Sequence, residues 1–265
     1  MTSPLFLIDE TKDNLPLDGD QLQQGWVLEL PDAVRRHALG AMRLKAGEEL
    51  QLSNGKGLRI KARVLNEQDG TAEVQGFEKE PEPQIKLALI QALAKTGHDE
   101  QAIEMSTQIG VDTVIPWQAD RSIARYKAGR TDRKWRQTLI AATEQSRRAW
   151  IPKLEECVNS KGIEAICRRA CVHGDVVVVL HQDETNHWSN IEDAVREMMD
   201  RTLEDKRPRT VYVIVGPEGG ISETEVLRFR DAGALCCVLG KNILRAATAG
   251  PVALSLLSRT TGRIL

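Results

Sequence analysis

The sequence predicts an α/β domain with a largely parallel sheet, preceded by a smaller domain built mainly from β-strands. In the later part of the chain, buried apolar runs alternate with helical patterns, as in parallel sheets covered by helices. In the earlier part, short alternating runs are separated by glycine-containing turns, as in small barrels. The charged, proline-containing stretch EKEPEPQ at 78–84 separates the two textures. We therefore expect domains at 1–80 and 81–265.

The first domain is predicted to contain four strands and one short helix. The dipeptides Asn54-Gly55 and Asp69-Gly70 favour tight turns between strands. The pattern PDAVRRHALGAMR predicts the helix at 31–43. The strands are predicted at 25–30, 49–53, 58–65 and 71–77.

The second domain is predicted from one long apolar run and from helix-terminal signals. Residues 85–94 are almost continuously apolar, which indicates a strand covered on both faces. Asp99 is placed to cap a helix that ends at Gly110, and Ser222 with Glu225 has the spacing of a capping box. Further strands are predicted at 111–116, 176–180, 211–215 and 234–239, and further helices at 133–148 and 247–259.

Composition limits the class of protein. The 265 residues are 41% hydrophobic and carry a net charge of −2, which suits a folded protein with a substantial core. We expect a cytoplasmic protein, because no apolar window is long enough to span a membrane and the N-terminus does not resemble a signal peptide. The five cysteines form no CxxC pair, so neither a disulfide framework nor a metal site is expected. Cys236 and Cys237 lie in an apolar run and are expected to be buried.

Two stretches are strongly basic although the whole chain is slightly acidic. Residues 33–63 contain eight Lys or Arg and two Asp or Glu, and residues 121–153 contain ten and two. Such local excess suggests a surface for a polyanion. From charge alone, a solvated surface with scattered ion pairs explains the pattern equally well.

Two unusual loops each follow a predicted strand, at the sheet edge where α/β proteins bind ligands. Gly216-Pro217-Glu218-Gly219-Gly220 lets the backbone approach a ligand closely, but it is neither a dinucleotide fingerprint nor a P-loop. The alternative interpretation of this loop is a glycine-rich strand-to-helix turn that binds no ligand. The second loop is Gly240–Arg245. Its Ile243 and Leu244 either line an apolar pocket for adenine or fill the core beneath the next helix. The strand ending at Leu180-His181 is expected to add a third edge, with His181 more often structural than catalytic.

Five ordered segments are similar to the ribosomal RNA small subunit methyltransferase E family, the 16S rRNA uridine-N3 methyltransferases of the SPOUT class. They are residues 35–52, 93–123 and 133–154, VGPEGGISETE at 215–225 and LGKNILRAATA at 239–249. The resemblance runs nearly the full length of the chain. It implies a PUA-like, RNA-binding β-barrel followed by a SPOUT domain with a trefoil knot in its C-terminal chain. It also implies a homodimer that uses S-adenosyl-L-methionine and acts on one uridine in the decoding region of 16S rRNA, in the small ribosomal subunit.

Particular residues are candidates for the roles that this activity requires. Arg245 is the candidate for stabilising a developing anion or gripping a phosphate, and Glu218 for orienting the cofactor or the base. The cofactor pocket is predicted to contain Leu180, Gly216, Pro217, Glu218, Gly219, Leu239, Gly240, Ile243 and Leu244. RNA binding is predicted for Arg35, Arg36, Arg43 and Lys45 in the barrel and for Arg121, Arg125, Arg147 and Arg148 on the SPOUT side. No general base is identified.

One segment departs from the family's pattern. The family commonly has Thr-Glu-Thr after the arginine, whereas this chain has Ala246-Ala247-Thr248, so no carboxylate stands at 247. Pro251 is tolerated if Thr248 caps the last helix and the proline lies in its first turn. Two alternatives stay open: a SPOUT methyltransferase acting on another RNA site, or a catalytically inactive RNA-binding ribosome assembly factor.

Overall fold

The chain forms two sheets in two compact units. The computed structural model describes residues 3–9 and 22–264, so part of the N-terminus, in which no signal peptide is expected, lies outside the described residues. The first unit comprises Met1–Glu82 and Thr143–Ile151, and the second comprises Pro83–Ala142 and Pro152–Leu265.

Backbone hydrogen bonds explain why the segment Thr143–Ile151 belongs to the first unit. The Gly57 amide donates to the Ala149 carbonyl at 2.9 Å, and the Ile151 amide donates to the Gly55 carbonyl at 3.0 Å. This grouping places Arg147 and Arg148 with the first unit, whereas the sequence assigned them to the second domain. These pairings are non-local, so no local sequence pattern indicates them.

The first unit is a curled, half-barrel sheet with strand order β1-β3-β4-β5-β2. Its core is formed by side chains such as Leu50, Leu52 and Ile60, which are almost completely buried. The four predicted strands are confirmed, and the short β1, which pairs parallel with β3, is additional. The strands are β1 Leu5–Leu7, β2 Val27–Glu29, β3 Glu49–Ser53, β4 Leu58–Asn66 and β5 Thr71–Lys79.

A helical segment is present within the predicted range 31–43, but it is somewhat shorter and is not α-helical throughout. An α-helical turn, α1 (Asp32–Arg35), continues into a π-helix at Arg36–Ala41. The Met42 amide donates to the carbonyl of His37, five residues earlier, at 2.9 Å. This wider turn ends the α-helical repeat that the sequence pattern suggested.

The second unit is built on a seven-stranded sheet in which every pairing is parallel, as predicted. The strand order is β12-β10-β11-β6-β7-β8, and β9 also pairs with β7. The short β8 and β9 were not predicted. The strands are β6 Ile85–Ala92, β7 Thr113–Gln118, β8 Lys153–Leu154, β9 Val158–Asn159, β10 Val176–Leu180, β11 Arg209–Val215 and β12 Leu235–Cys237.

Helices cover both faces of this sheet. On one face α7 packs against α2, β6 and β11, and on the other α4 packs against α6 and β10. The helices α4 and α5 lie in stretches for which no element was predicted. The helices are α2 His98–Ile109, α3 Thr131–Ser146, α4 Ser160–His173, α5 Trp188–Asp205, α6 Glu223–Asp231 and α7 Ala246–Thr260.

Helix termini bear out two of the capping predictions and correct a third. The capping box of Ser222 and Glu225 is present in full, and Gly110 ends α2 with a positive φ of 115°. Asp99 does not cap α2, because Gly97 is the N-cap and Asp99 lies in the first turn. The buried Asp99 carboxylate accepts the amides of Ala94 and Glu100 at 3.4 and 3.0 Å.

The start of α7 also differs from the prediction. Arg245, not Thr248, is the N-cap, so Pro251 lies inside the helix and beyond its first turn. The alanines at 246, 247 and 249 favour helix and extend it upstream. Gly250 brings α7 close to the sheet, since a Cβ atom there would lie 2.9 Å from Leu89 Cδ1.

Cysteine burial follows the expectation from the apolar run. Cys236 and Cys237 are buried and, like the other cysteines, free thiols. Burial raises the pKa of Cys237 to about 12, which keeps this thiol neutral at physiological pH.

A buried carboxylate ties three segments of the second unit together. Glu225 is 1% exposed, and its Oε1 accepts the Ser160 hydroxyl at 2.6 Å and the Asp120 amide at 2.9 Å. Its Oε2 accepts the Ser222 amide and hydroxyl, each at 2.9 Å. Burial raises the pKa of Glu225, but these hydrogen bonds outweigh burial and leave the pKa lowered. The ionised form is therefore the one that stabilises the fold.

We predict that Glu225→Gln lowers the free energy of unfolding by about 1–3 kcal/mol at neutral pH, because at least one buried donor loses its acceptor. A lowered folded-state pKa means that the stabilisation is present at neutral pH and is lost as pH falls below about 4.5. The free energy of unfolding of the variant should accordingly change less with pH in that range. Urea unfolding at several pH values measures both effects.

The matched control is Glu223→Gln, an exposed carboxylate in the same first turn of α6. Its unfolding curves should follow those of the unmodified protein. Equal stability of the two glutamine variants would contradict the role assigned to Glu225.

Candidate functional site

The three loops singled out from the sequence meet at one edge of the second sheet. They follow β11, β10 and β12, which are neighbours and parallel, so their carboxyl ends point the same way. The His181 amide donates to the Cys237 carbonyl at 3.0 Å, which joins the end of β10 to that of β12. The expectation that His181 adds a third edge to the crevice agrees with this geometry.

The chain changes direction beside this edge. The neighbouring strands β6 and β11 are followed by α2 and α6, which lie on opposite faces of the sheet. Connections that leave adjacent parallel strands toward opposite faces open a crevice between their carboxyl ends. The glycine loop after β11 lies at that crevice.

The glycine loop is a tight turn held by neighbouring backbone. The Gly220 amide donates to the Pro217 carbonyl at 2.8 Å, and Gly220 has a positive φ of 73°. Arg121 Nη1 donates to the Gly219 carbonyl at 3.3 Å. A Cβ atom at Gly219 would lie 3.3 Å from the Cβ and carbonyl oxygen of Arg121. The loop and the segment after β7 therefore leave little room for a side chain at 219.

Glu218 makes contacts that the sequence did not reveal. Its Oε1 accepts the Lys95 amide at 2.9 Å and lies 3.3 Å from His98 Nδ1. Lys95 begins a 3₁₀ turn in which Thr96 has a positive φ of 54°. The carboxylate thus ties the glycine loop to the segment after β6. A histidine three residues after the lysine in AKTGHDE was the only available sequence signal, and it is weak.

The second loop offers free backbone donors beside an apolar side chain. In the described part of the chain, the amides of 239–244 donate to no protein acceptor. Ile243 is 78% exposed, so it does not fill the core beneath α7, while Leu244 is half-buried. Unused amides next to an exposed apolar residue suit an aromatic ring with polar edges.

Arg245 and His181 flank this loop. Arg245 is exposed and forms no ion pair within residues 3–9 and 22–264, while its carbonyl accepts the Thr248 hydroxyl at 3.1 Å. His181 Nδ1 is buried without a protein partner among the described residues. A buried nitrogen with no partner suggests a ligand atom or water at this place.

The remaining predicted cofactor residues border the same edge. Leu180 and Leu239 are half-buried, Pro217 is buried and Gly240 is exposed. A Cβ atom at Gly216 would lie 2.6 Å from Ile221 Cγ1, so this glycine serves the packing of its own loop.

The basic residues proposed for RNA binding occupy different environments. Arg35 Nη2 donates to the Gln68 carbonyl at 3.1 Å, and Lys45 lies 3.8 Å from Glu67, so both also have structural contacts. The Arg147 carbonyl accepts Arg59 Nη1 at 3.0 Å. Those with exposed side chains are Arg36, Arg43, Lys45, Arg121 and Arg125, while Arg35, Arg147 and Arg148 are half-buried.

The described residues contain neither a metal-binding cluster nor a helix suited to cross a membrane. In the part of the chain that the structure describes, no group of three or more His, Cys, Asp or Glu side chains is arranged to hold a metal ion. None of the helices in 3–9 and 22–264 combines the length and apolar character needed to cross a bilayer.

Comparison with known proteins identifies the family. A family model described as an RNA methyltransferase domain matches residues 80–258, and one described as an RNA methyltransferase PUA domain matches residues 30–75. Ribosomal RNA small subunit methyltransferase E of Mycobacterium bovis is 30% identical, over 99% of this chain and 94% of its own length. This chain belongs to the ribosomal RNA small subunit methyltransferase E family.

Other members of the methyltransferase E family are similar to this chain over most of their length. The Bacillus subtilis protein is 23% identical, over 93% of this chain and 95% of its own. A crystal structure of the Neisseria gonorrhoeae protein bound to S-adenosyl methionine is 25% identical, covers 97% of this chain and 98% of its own, and has a TM-score of 0.75. The predicted fold class, a SPOUT-type α/β domain after a PUA domain, is thereby confirmed, while the trefoil knot stays a prediction.

We predict that Glu218→Ala frees the turn at Lys95, because its amide loses its acceptor. Hydrogen exchange of the Lys95 amide should accelerate by about tenfold, the amount expected for one lost hydrogen bond. Exchange measured by NMR reports this amide directly. Glu223→Ala removes a nearby exposed carboxylate that is not bonded to Lys95 and should leave the rate unchanged. Equal rates in both variants would show that the contact is not formed in solution.

Proposed function

We propose that this chain transfers the methyl group of S-adenosylmethionine to N3 of one uridine in 16S rRNA. The supporting observation is the crevice edge, where free amides, an exposed apolar side chain and an unpartnered histidine nitrogen lie beside a glycine loop. Full-length similarity to a family member crystallised with S-adenosyl methionine gives the cofactor. The names of the relatives give the class of substrate, ribosomal RNA of the small subunit.

The residues present fit this cofactor. Unused amides of 239–244 match the hydrogen-bonding edge of adenine, and Ile243 offers an apolar wall. The predicted set of Leu180, Gly216, Pro217, Gly219, Leu239, Gly240 and Leu244 surrounds the same edge and is proposed to complete the pocket. When bound, S-adenosylmethionine supplies an electrophilic methyl carbon, and this chemistry requires no metal.

The protein's own task is to position the nucleophile and stabilise its charge. Uridine N3 loses a proton as it is methylated, so negative charge develops on the base. Arg245, exposed and without an ion pair among the described residues, is proposed to stabilise that charge or to hold the adjacent phosphate. Glu218 is proposed to orient the loop and the bound groups rather than to accept the proton, because its Oε1 already accepts the Lys95 amide.

The first unit is proposed to bind the RNA. It contains the segment matched by the PUA model and much of the first basic stretch. Arg36, Arg43 and Lys45 present exposed cations there, and Arg35, Arg147 and Arg148 belong to the same unit. A homodimer in the cytoplasm is proposed on the family resemblance alone, and light scattering at micromolar concentration tests the dimer.

The reaction is tested with purified protein, S-adenosylmethionine carrying an isotopically labelled methyl group and small ribosomal subunits that lack N3-methyluridine. Mass spectrometry of the nucleosides should find the label in N3-methyluridine. Label in another nucleoside would support a different RNA site. Absence of label together with absence of S-adenosylmethionine binding in calorimetry would support the inactive assembly factor.

We predict that Gly219→Val weakens S-adenosylmethionine binding at least tenfold, because the side chain would collide with Arg121 and displace the loop. Calorimetry measures this affinity. Gly76→Val is the matched control: Gly76 lies in β5, and a Cβ atom there would meet nothing within 4 Å. Unchanged affinity of the Gly219 variant would place the pocket elsewhere.

We predict that Arg245→Ala lowers kcat by about 100-fold with little change in S-adenosylmethionine affinity, in line with the loss of one group that stabilises an anionic transition state. Arg245→Lys should restore part of the rate because it keeps the charge. Arg259→Ala, an exposed arginine at the other end of α7, serves as the control. A normal kcat in Arg245→Ala would remove this residue from the mechanism.

A further inference from the structure

A large cavity in the second unit lies outside the predicted cofactor residues. Its volume is about 730 Å³, in the range of sites that bind small molecules or nucleotides. One wall is formed by the segment after β6 and the start of α2, and the other by the loop between β7 and α3 and the start of α3. None of the residues assigned to the cofactor pocket lines it.

The cavity nevertheless adjoins the glycine loop at two points. Lys95 in its wall donates its amide to Glu218, the third residue of that loop. The other wall begins at Ala124, three residues after Arg121, whose guanidinium donates to the Gly219 carbonyl. A molecule in the cavity would therefore lie next to the loop proposed to hold the methyl donor.

The charge of the cavity wall favours an anion. Five cationic side chains line it and two carboxylates accompany them. Glu100 is neutralised by Lys134 at 2.6 Å, and the Asp99 carboxylate is directed to backbone amides. Among the described residues, the side chains of Lys95, Arg125, Lys127 and Arg130 form no ion pair. Four unneutralised cations around one concavity attract a polyanion.

We propose that this cavity binds RNA, holding a phosphodiester group and nucleotide next to the target base. The inference rests on the proposed function. It specifies the part of the chain that binds the RNA substrate near the methyl donor. S-adenosylmethionine itself is a poor occupant, because its sulfonium gives it a net positive charge that these cations would repel. RNA, in contrast, brings phosphate groups that these cations can contact.

The experiment measures binding of fluorescein-labelled oligouridylate to the full chain as a function of salt. The double variant Lys127→Ala with Arg130→Ala removes two cavity cations. Its affinity for the oligonucleotide should fall at least tenfold, and the slope of log affinity against log salt should shrink by about 1.4, because each lost contact to a single strand contributes about 0.7. S-adenosylmethionine affinity, measured by calorimetry, should stay unchanged and show that the variant is folded.

The matched control removes two exposed cations from α4, on the opposite face of the sheet from α2: Lys161→Ala with Arg169→Ala. It should bind the oligonucleotide like the unmodified protein. Arg125→Gln is a second cavity variant and should lower the slope by about half as much. Cavity variants whose affinity and slope equal those of the control would overturn the proposal.

The two proposals fail in different assays. If the unmodified protein transfers no methyl group to small subunits, the proposed function fails, whereas the cavity is judged by oligonucleotide binding alone. If methyl transfer succeeds and the cavity variants bind RNA normally, only the cavity assignment is wrong.

Discussion

The buried carboxylate of Glu225 is the contact on which the functional edge depends. It receives hydrogen bonds from the segment after β7, from the start of α4 and from the turn that opens α6. Each of these segments joins a strand to a helix, and the glycine loop immediately precedes the last of them. A buried charge is tolerated only where its hydrogen-bonding capacity is used, and here four donors use it. The same carboxylate that completes the capping box therefore holds together the segments beside the crevice.

The order of strands divides the crevice into two parts with different chemistry. On the side of β10 and β12, free amides and apolar side chains suit an uncharged ring. On the side of β6 and β7, exposed cations surround a cavity and suit phosphate. Glu218 belongs to the loop between them, where its bond to Lys95 connects the two. A methyltransferase acting on RNA needs both surfaces in contact, because donor and acceptor must meet in line.

The sequence predicted the features that have local causes and missed those that arise from distant pairing. The apolar runs of β6 and β10 and the capping box of Ser222 leave strong local signals, and the structure confirms them. The helix α4 also has a local signal, because Ile163, Ile166, Cys167 and Ala170 repeat at helical spacing, although no helix was predicted there. The return of Thr143–Ile151 to the first unit and the bond from Lys95 to Glu218 join residues far apart in sequence, which no local pattern encodes.

The departure at residue 247 lies in a helix that packs closely against the sheet. Small residues let this helix lie against β6 and β11, and Ala247 is itself buried beside the sheet. A glutamate there, as the family resemblance leads one to expect, would bury a charge unless it reached a cation such as Arg245. With alanine at 247, Arg245 keeps its charge unpaired within the described residues and free to meet an anion. The substitution thus removes a carboxylate without removing the cation that the proposed reaction uses.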